Sequence, residues 1–395
     1  MNDKKQPKIR FKGFADDWEQ RKLGDIITFL NGRAYKQSEL LDKGKYPVLR
    51  VGNFYTNDSW YYSNLELPDK NYANRGDLLY TWSATFGPHI WNGGKVIYHY
   101  HIWKLILSSK ISKYFALTLL NADKEQLLSN TNGSTMIHVT KYEMESKVIG
   151  VPNLSEQESI GKFLVATDRL IAANQHKLDE LKQLKKLLMQ KIFSQEWRFK
   201  GFTDPWEQRK LKELTTLIKD GTHGTHEDGN DAFLLSAKNI KNGQVWIDPS
   251  SDRKISNNDY QSILKNYKMQ KGDLLVSIVG TIGQTALFQE SGVKVAFQRS
   301  VAIIRGNEKV KQDFLKATFD SSNVQKQLKR FSTMSAQAGV YLGDLNKLNI
   351  PYPSVNEQEK IGEIVNNTNM LIAANQQKLT QLKQLKKYLM QNMFV

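Results

Sequence analysis

Two long stretches of this sequence occur twice. The segment RFKGFADDWEQRKL at residues 10–23 returns as RFKGFTDPWEQRKL at residues 198–211. Residues 152–193 return at 353–394, with 25 of 42 positions identical. The stretches between the copies differ in sequence and share only a skeleton, such as the tetrapeptide GDLL at 76–79 and 272–275. The repeat therefore predicts one scaffold that carries two different variable domains.

The chain length supports two large units, since 395 residues suffice for two or three domains. We expect the first variable domain at residues 1–150 and the first scaffold helix at 151–197. The second variable domain is expected at 198–351 and the second scaffold helix at 352–395. The fold class predicted is α/β (α+β): two mixed domains separated by two long antiparallel coiled-coil helices, with pseudo-two-fold symmetry.

Alternation of apolar and polar residues predicts strands in both variable domains. The clearest example is KVIYHYHIWKLIL at 95–107, which follows the turn sequence Asn92-Gly93-Gly94. The other predicted elements of the first domain are strands at 46–51 and 77–82 and a helix at 113–130. Those of the second domain are strands at 233–237, 273–279 and 293–305 and a helix at 311–331.

The repeated C-terminal segments are predicted to form long helices. Each follows a proline, and Ser155 with Glu158, or Asn356 with Glu359, resembles a capping box. Apolar residues then recur at 4-3 spacing, which predicts a coiled-coil seam of about five heptads. The central seam positions, expected to pair the helices or to dock other subunits, are Ile171, Asn174, Leu178, Leu181, Ile372, Asn375, Leu379 and Leu382, and Leu385 is expected to continue the second seam.

Asn174 and Asn375 lie at the midpoints of the two predicted helices. A buried asparagine on a seam costs stability and fixes the register of the pair. In an antiparallel pair, the two asparagines would lie near each other at the centre. The alternative is that each asparagine lies at a half-exposed position of the seam and has no role in fixing the register.

Charge is the one unusual property of the composition. The chain has 56 Lys and Arg against 40 Asp and Glu, a formal net charge of +16. An excess of this size favours a polyanionic partner, most commonly nucleic acid. The alternatives are a ribosome-associated protein or a protein that is merely basic. Because the chain has no cysteine, no signal core and no long apolar run, we expect a cytoplasmic protein without a membrane segment.

Catalytic motifs are missing from the sequence. There is no P-loop, no H-E-x-x-H, and no Asp/Asn-Pro-Pro-aromatic loop of amino-methyltransferases. The histidine pairs His99/His101 and His223/His226 have no cysteine or acid at ligand spacing, so a metal site is disfavoured. His99 and His101 are expected on the same face of one strand, in a packing or base-contacting role.

Candidate DNA-contacting residues follow from the chemistry of base recognition. Arginine pairs with guanine, asparagine and glutamine pair with adenine, and glycine-rich loops bring backbone N–H groups close to phosphate. Two such loops are Asp220-Gly221-Thr222-His223 and Gly280-Thr281-Ile282-Gly283, and Thr85-Phe86-Gly87 matches the latter. The candidates in the first domain are Arg33, Lys36, Arg50, Asn53, Tyr55, Trp82, His89, His99 and His101. Those in the second are Lys219, Thr222, His223, Lys238, Asn239, Thr281, Gln284, Gln298, Arg299 and Gln337. Core or turn packing is the alternative for Asn53, Tyr55 and Trp82.

The combination of RFKGF…WEQRKL, P-x-x-x-E-Q-E at the start of a long helix and LKQLKKxLMQ at its end, all repeated, resembles the specificity subunit of type I restriction–modification systems (the HsdS family). The resemblance covers the whole chain. The segments DGTH, LLSAKNI, GDLLVSIVGTIG and FQRSVAII also resemble one subtype of the family's recognition domains. The first variable region lacks DGTH and a Gly-Thr-x-Gly loop, so residue roles transfer to it less directly.

This resemblance implies a non-catalytic subunit. Each variable region would be a target recognition domain for one half of a split double-stranded DNA site. The helices would dock two modification subunits, which bring S-adenosylmethionine and methylate adenine. Restriction subunits using ATP and Mg²⁺ would join for translocation and cleavage, and no cofactor is expected in this chain. The alternative is a free-standing two-domain DNA-binding regulator; a single-chain nuclease or methyltransferase would need motifs that the sequence lacks.

Overall fold

The chain forms two compact units, one of residues 1–175 and 378–395 and the other of residues 176–377. The computed structural model describes residues 6–55, 57–83, 85–129, 139–290, 292–333 and 339–394. The division falls inside both long helices, so each unit contains one variable domain and one part of each helix. In the described ranges, no helix is long and apolar enough to cross a membrane.

The first unit is a mixed α/β domain. Its strands are β1 (Glu19–Lys22), β2 (Ile27–Asn31), β3 (Tyr46–Leu49), β4 (Tyr61–Ser63), β5 (Tyr72–Ala73), β6 (Leu78–Thr81), β7 (Gly87–Ile90), β8 (Val96–Tyr98), β9 (Ile102–Leu107) and β10 (Val148–Val151). Its helices are α1 (Lys113–Ser129), α2 (Lys141–Ser146) and the first part of α3 (Leu154–Phe193).

Two four-stranded sheets build this domain, in the orders β2-β9-β6-β7 and β4-β3-β8-β5. The first sheet is antiparallel, whereas β3 and β8 of the second sheet run parallel. Large aromatic side chains fill the core next to α1, with the Tyr80 and Trp103 rings stacked at 5.8 Å between centroids. Burial of such rings is the main source of apolar stabilisation in a domain of this kind.

The second unit repeats this plan. Its strands are β11 (Glu207–Lys210), β12 (Thr215–Asp220), β13 (Asp228–Leu235), β14 (Ile240–Lys241), β15 (Gln244–Val245), β16 (Lys254–Ile255), β17 (Leu274–Ser277), β18 (Thr285–Leu287), β19 (Val295–Phe297), β20 (Val301–Gly306) and β21 (Asn349–Tyr352). Its helices are α4 (Asn257–Asn266), α5 (Gln312–Asp320), α6 (Ser322–Thr333), α7 (Leu342–Asn346) and the first part of α8 (Val355–Asn392). The sheet β12-β20-β17-β18 matches β2-β9-β6-β7, and the parallel pair β13-β19 matches β3-β8.

Three predicted elements are interrupted in the structure. The single strand expected at 95–107 is two strands, β8 and β9, which belong to different sheets. The strand expected at 293–305 is likewise β19 and β20. Neither turn contains glycine or proline, so no breaker residue in the sequence marks these interruptions. The helix expected at 311–331 breaks at Ser321, whose backbone is extended (φ −70°, ψ 149°).

The repeated RFKGF and EQE motifs meet in each unit through a buried ion pair. Arg10 donates from Nε and an Nη atom to the Glu156 carboxylate at 2.6 and 2.8 Å, and Glu156 is fully buried. Arg198 and Glu357 form the same pair at 2.9 and 2.7 Å. The Trp206 indole N–H donates to the Glu357 carboxylate at 3.0 Å. The first repeated motif is therefore held against the start of a long helix in both units.

The glutamine that follows each of these glutamates ties the helix to its domain. Gln157 accepts from the Ser112 N–H at 2.8 Å and donates to the Lys110 carbonyl at 2.9 Å. Gln358 accepts from the Lys311 N–H at 3.0 Å and donates to the Lys309 carbonyl at 3.3 Å. Both side chains are buried, and each fixes the segment that precedes α1 or α5.

The helix caps lie two residues before the expected positions. The Asn153 side chain accepts from the Glu156 N–H at 3.0 Å, and Ser354 accepts from the Glu357 N–H at 3.4 Å. The predicted caps at Ser155 and Asn356 are therefore wrong. The third helical residue of each copy does not complete a capping box, because its carboxylate binds arginine instead.

The predicted seam agrees with the observed burial except near the end of the second helix. Of the central positions, Asn174, Leu178, Asn375 and Leu379 are buried, and Ile171, Leu181, Ile372 and Leu382 are half-buried. Leu385 is 49% exposed, so its predicted seam position is wrong. Strict 4-3 spacing from Leu382 selects Lys386 instead, and Lys386 is half-buried and pairs with Asp168 at 2.5 Å.

Contacts within the first unit show that the two helix segments run antiparallel. Asp168 pairs with Lys386, and Gln175, seven residues further along α3, accepts from Lys383, which lies earlier in α8. Each seam asparagine donates to the carbonyl four residues back in its own helix: Asn174 to Leu170 at 2.7 Å and Asn375 to Leu371 at 2.8 Å. The role of these asparagines in register stays a prediction.

The Arg198–Glu357 pair makes a direct prediction about stability. Glu357→Gln leaves the half-buried Arg198 guanidinium without its charged partner, which should lower the free energy of unfolding by roughly 3 kcal/mol. The measurement is chemical denaturation of the two proteins under identical conditions.

The matched control is Glu359→Gln, two residues further along α8. Its carboxylate is 64% exposed and lies 3.7 Å from Lys311. Loss of an exposed pair should change stability by about 0–1 kcal/mol. If both substitutions changed the free energy of unfolding equally, the Arg198–Glu357 pair would not be a principal source of the stability of the unit.

Candidate nucleic-acid interface

In the first domain, the chain leaving β2 crosses the turn between β8 and β9. The Gly32 N–H donates to the Ile102 carbonyl at 3.0 Å, and the Arg33 N–H donates to the Tyr98 carbonyl at 3.1 Å. A Cβ atom at Gly32 would collide with the His99 carbonyl, so this crossing requires glycine.

The second domain has the same crossing. The Gly221 N–H donates to the Val301 carbonyl at 3.0 Å, and the Thr222 N–H donates to the Phe297 carbonyl at 2.7 Å. A Cβ atom at Gly221 would collide with the carbonyls of Phe297 and Gln298. Candidates that are far apart in sequence are therefore neighbours here: Arg33 pairs with His99, and Thr222 with Gln298, in equivalent β-bridges.

A second loop follows the strand that contains GDLL in each domain. The Thr81 hydroxyl donates to the Thr85 carbonyl at 2.8 Å, and the Ser277 hydroxyl donates in the same way to the Thr281 carbonyl. The loop glycines Gly87 and Gly283 both have positive φ, 142° and 85°. The predicted match between Thr85-Phe86-Gly87 and the Gly-Thr-Ile-Gly loop thus has a counterpart in the hydrogen bonds.

One side chain from a helix supports each of these glycines. In the first domain it is Lys124, whose side chain would lie 3.0 Å from a Cβ atom at Gly87. In the second it is Gln325, whose amide donates to the carbonyls of Gly283 at 2.9 Å and Phe319 at 2.7 Å. Burial lowers the pKa of Lys124 from its ordinary value. Sequence reasoning missed both residues, because neither helix shows a polar motif.

The candidate asparagines are structural in both domains. Asn53 accepts from the Arg50 N–H at 3.0 Å and donates to the Asn57 and Ser59 carbonyls at 3.0 and 2.9 Å. Asn239 is buried, accepts from the Ser236 N–H at 3.0 Å and donates to Asp252 at 2.7 Å. These amides close equivalent loops, and both N–H donors of each amide are already used inside the domain. Base contact by Asn53 and Asn239 stays a prediction.

The histidines of the first domain belong to an aromatic cluster. His99 and His101 lie in the turn itself, so their predicted placement on one strand face is wrong. The imidazole of His89 stacks on Phe54 at 4.2 Å and hydrogen-bonds the Tyr55 hydroxyl at 3.1 Å. Burial lowers the pKa of His89 and that of His99 to about 4, so both are neutral at pH 7. These two histidines can offer stacking and hydrogen bonds but no positive charge.

Several other candidates already have partners within the chain. Arg33 forms a bidentate pair with Glu39 at 2.7 and 3.0 Å, and the Trp82 indole N–H donates to the Tyr100 carbonyl at 2.9 Å. The remaining partnered candidates are Arg50 with the Ser59 carbonyl and Tyr61 ring, Lys219 with the Asn266 carbonyl, His223 with Asp220, and Lys238 with Asp252.

Other candidates lie at the surface. Lys36, Thr281, Gln284 and Arg299 are exposed, whereas Gln298 is half-buried. Gln337 lies outside the described residues. Among the described residues, no group of three or more His, Cys, Asp or Glu side chains could hold a metal ion.

Sequence reasoning also missed Tyr100, the residue between the two histidines. It is 39% exposed and lies within the turn at residues 99–102, which has an equivalent in the second domain. The assumption of a continuous strand placed its side chain on the opposite face from His99 and His101. Alignment of the two domains through GDLL and the following strands would have exposed the equivalence.

The architecture is that of a two-domain recognition protein: two equivalent α/β domains with different surface side chains, each attached to a long helix. Residues 15–183 and 203–384 both match the family described as "Type I restriction modification DNA specificity domain". The chain belongs to this family, and it is a non-catalytic DNA-recognition subunit of a type I restriction–modification system.

Two curated relatives match most of the chain. It is 26% identical to the type I restriction enzyme MjaVIII specificity subunit of Methanocaldococcus jannaschii, over 95% of this chain and 91% of that protein. It is 25% identical to the EcoBI specificity subunit of Escherichia coli, over 88% and 78%.

A solved structure has the same fold. The S subunit of a type I restriction–modification system from M. genitalium aligns over 99% of both chains, with a TM-score of 0.69 at 16% identity. The predicted family, fold class and DNA-recognition role are therefore confirmed.

The crossing of β2 over the turn can be tested with Gly32→Ala. The added methyl group collides with backbone, which cannot move as a flexible side chain could. We expect destabilisation of about 1–3 kcal/mol, measured by thermal or chemical unfolding.

Gly94→Ala is the control, because nothing lies within 4 Å of its added methyl group and its φ is not positive. Reduced freedom of the unfolded chain should leave that variant as stable as the parent or more so. A Gly32 variant of parental stability would contradict the close crossing.

Proposed function

We propose that the two variable domains read the two halves of a split, non-palindromic DNA site. Two modification subunits would dock on the long helices, supply S-adenosylmethionine and methylate adenine. Restriction subunits using ATP and Mg²⁺ would complete the assembly. The observation that carries the proposal is that both domains have the same pair of loops although their side chains differ. We call each pair a loop cluster: the glycine crossing over the turn at 99–102 or 298–301, and the loop that follows GDLL. A common backbone with different exposed side chains suits two readers of different sequences.

The charge and the surface chemistry support DNA as the ligand. The formal charge of +16 provides attraction to phosphate, and the exposed Lys36, Gln284 and Arg299 lie on or near the loop clusters. Two recognition domains in one chain would suit half-sites centred about one DNA turn apart, roughly 34–36 Å. Direct contacts by these residues stay a proposal.

The long helices carry a repeated set of exposed apolar side chains away from the seam. Leu170, Leu184 and Leu187 are 45, 53 and 42% exposed in α3. Their equivalents Leu371, Leu385 and Tyr388 are 47, 49 and 56% exposed in α8. Exposed apolar positions that recur in both copies suit two docking events of the same kind. The buried seam residues Leu178 and Leu379 are unsuited to this role.

Domain exchange tests the reading function. Residues 24–150 would be replaced by the corresponding segment of a relative, and the chain co-expressed with its modification subunits. The expected result is a change in one half-site of the methylated sequence, with the other half retained. The measurement is genome-wide mapping of methylated adenine.

A strain without this chain provides the baseline for that experiment. Adenine methylation that does not depend on the chain would contradict the proposed function. A change in both half-sites would contradict independent readers.

Leu385→Glu tests the docking surface. Placing a charge on an exposed apolar position should weaken association with the modification subunit by about tenfold, equivalent to roughly 1.4 kcal/mol, without loss of fold. The measurement is titration of the purified subunits. Gln384→Glu adds the same charge at the exposed neighbouring position and should leave association nearly unchanged; equal effects would contradict the assignment.

A further inference from the structure

The turns at residues 99–102 and 298–301 have the same backbone hydrogen bonds in both domains. The Ile102 N–H donates to the His99 carbonyl at 3.0 Å, and the Val301 N–H donates to the Gln298 carbonyl at 3.0 Å. Tyr100 and Arg299 therefore occupy the same corner position of two equivalent four-residue turns.

Besides the glycine crossing, two other chain segments form backbone hydrogen bonds with each turn. The His99 N–H donates to the Leu49 carbonyl at 2.9 Å, and the Gln298 N–H donates to the Leu235 carbonyl at 2.8 Å. The His101 carbonyl accepts from Trp82 at 3.1 Å, and the Ser300 carbonyl accepts from Ile278 at 2.9 Å. Such a turn presents its corner residue from a backbone that is already ordered, which reduces the entropic cost of binding.

The side chains next to the corner are engaged inside the domain. Ser300 accepts from the Ala237 N–H at 3.0 Å, and the ring of His101 packs against Trp82 at 4.9 Å. The corner residues themselves are exposed. In the part of the chain that the structure describes, the Arg299 guanidinium has no hydrogen-bond or ion-pair partner. The Tyr100 ring packs against the rings of His101 at 3.9 Å and His99 at 4.4 Å, which orients it while it stays 39% exposed. An exposed side chain on an ordered backbone is the arrangement expected of a recognition residue.

We propose that this corner is a specificity position in both domains: Arg299 reads a G·C pair and Tyr100 reads an A·T pair. A guanidinium can donate two parallel hydrogen bonds to O6 and N7 of guanine. The Tyr100 ring offers an apolar surface to the thymine methyl group. The inference rests on the proposed function, since it assigns one base pair of each half-site to one residue.

The test is methylome mapping of the complex assembled with Arg299→Ala or Tyr100→Ala. The arginine variant should lose its preference for guanine at one position of one half-site, by roughly 5- to 150-fold. The tyrosine variant should lose its preference for an A·T pair at one position of the other half-site. The rest of the motif should be retained in each case.

Conservative variants distinguish a loss of base recognition from a loss of folding or of phosphate binding. Arg299→Lys keeps the charge but cannot form the planar bidentate contact, so it should retain methylation and relax the guanine position. Tyr100→Phe keeps the ring and should preserve the motif. The controls are Arg209→Ala and Tyr142→Ala, exposed residues on β11 and α2, which should leave the motif unchanged.

Two results would overturn the inference. One is an unchanged motif in both alanine variants; the other is a uniform loss of methylation in folded variants with every base preference intact, which would indicate phosphate contact alone. Either result is distinct from failure of the proposed function, in which parental methylation would not depend on the chain or would lack a split motif.

Discussion

The buried arginine–glutamate pair is the contact on which each unit depends. A buried carboxylate needs both a compensating positive charge and hydrogen-bond donors. Arg10 provides both for Glu156, and Arg198 provides both for Glu357, in bidentate geometry. The glutamate is also the third residue of a long helix, so the pair fixes the direction in which that helix leaves the domain. The neighbouring Gln157 or Gln358 adds a second attachment. The most similar parts of the sequence thus join domain to helix.

A second constraint fixes the backbone of the proposed recognition surface. Backbone crosses backbone at Gly32 and at Gly221, and the turns beneath are held by hydrogen bonds that do not depend on side-chain identity. Side chains at the corner can therefore differ without loss of the fold. This separation of backbone from side chain explains how one scaffold can carry Tyr100 in one domain and Arg299 in the other.

Electrostatics also differs between the two domains. The first domain has an aromatic cluster with two neutral histidines, and its Arg33 is neutralised by Glu39. The second has exposed Arg299, Gln284 and Thr281. Stacking and shape suit the first surface, whereas hydrogen bonding to base edges suits the second.

Repetition, helix length and heptad spacing could be read from the sequence because each depends on local or periodic order. The family resemblance rested on the same repeated residues, and the comparisons confirm it. Individual contacts could not be read in this way. Asn53 and Asn239 have the chemistry to bind adenine, but their amides are used by loops whose closure is visible only in three dimensions.

The division between sequence and tertiary structure has a physical cause. The sequence by itself determined that there are two equivalent domains, two long helices with a seam, and a basic, motif-poor surface, since composition and period carry that information. Only the tertiary structure decided that residues 95–107 turn at His99, and that the chain at Gly32 and at Gly221 crosses this turn and its equivalent at residues 298–301. Those outcomes depend on hydrogen bonds between segments far apart in the chain, which leave no local pattern.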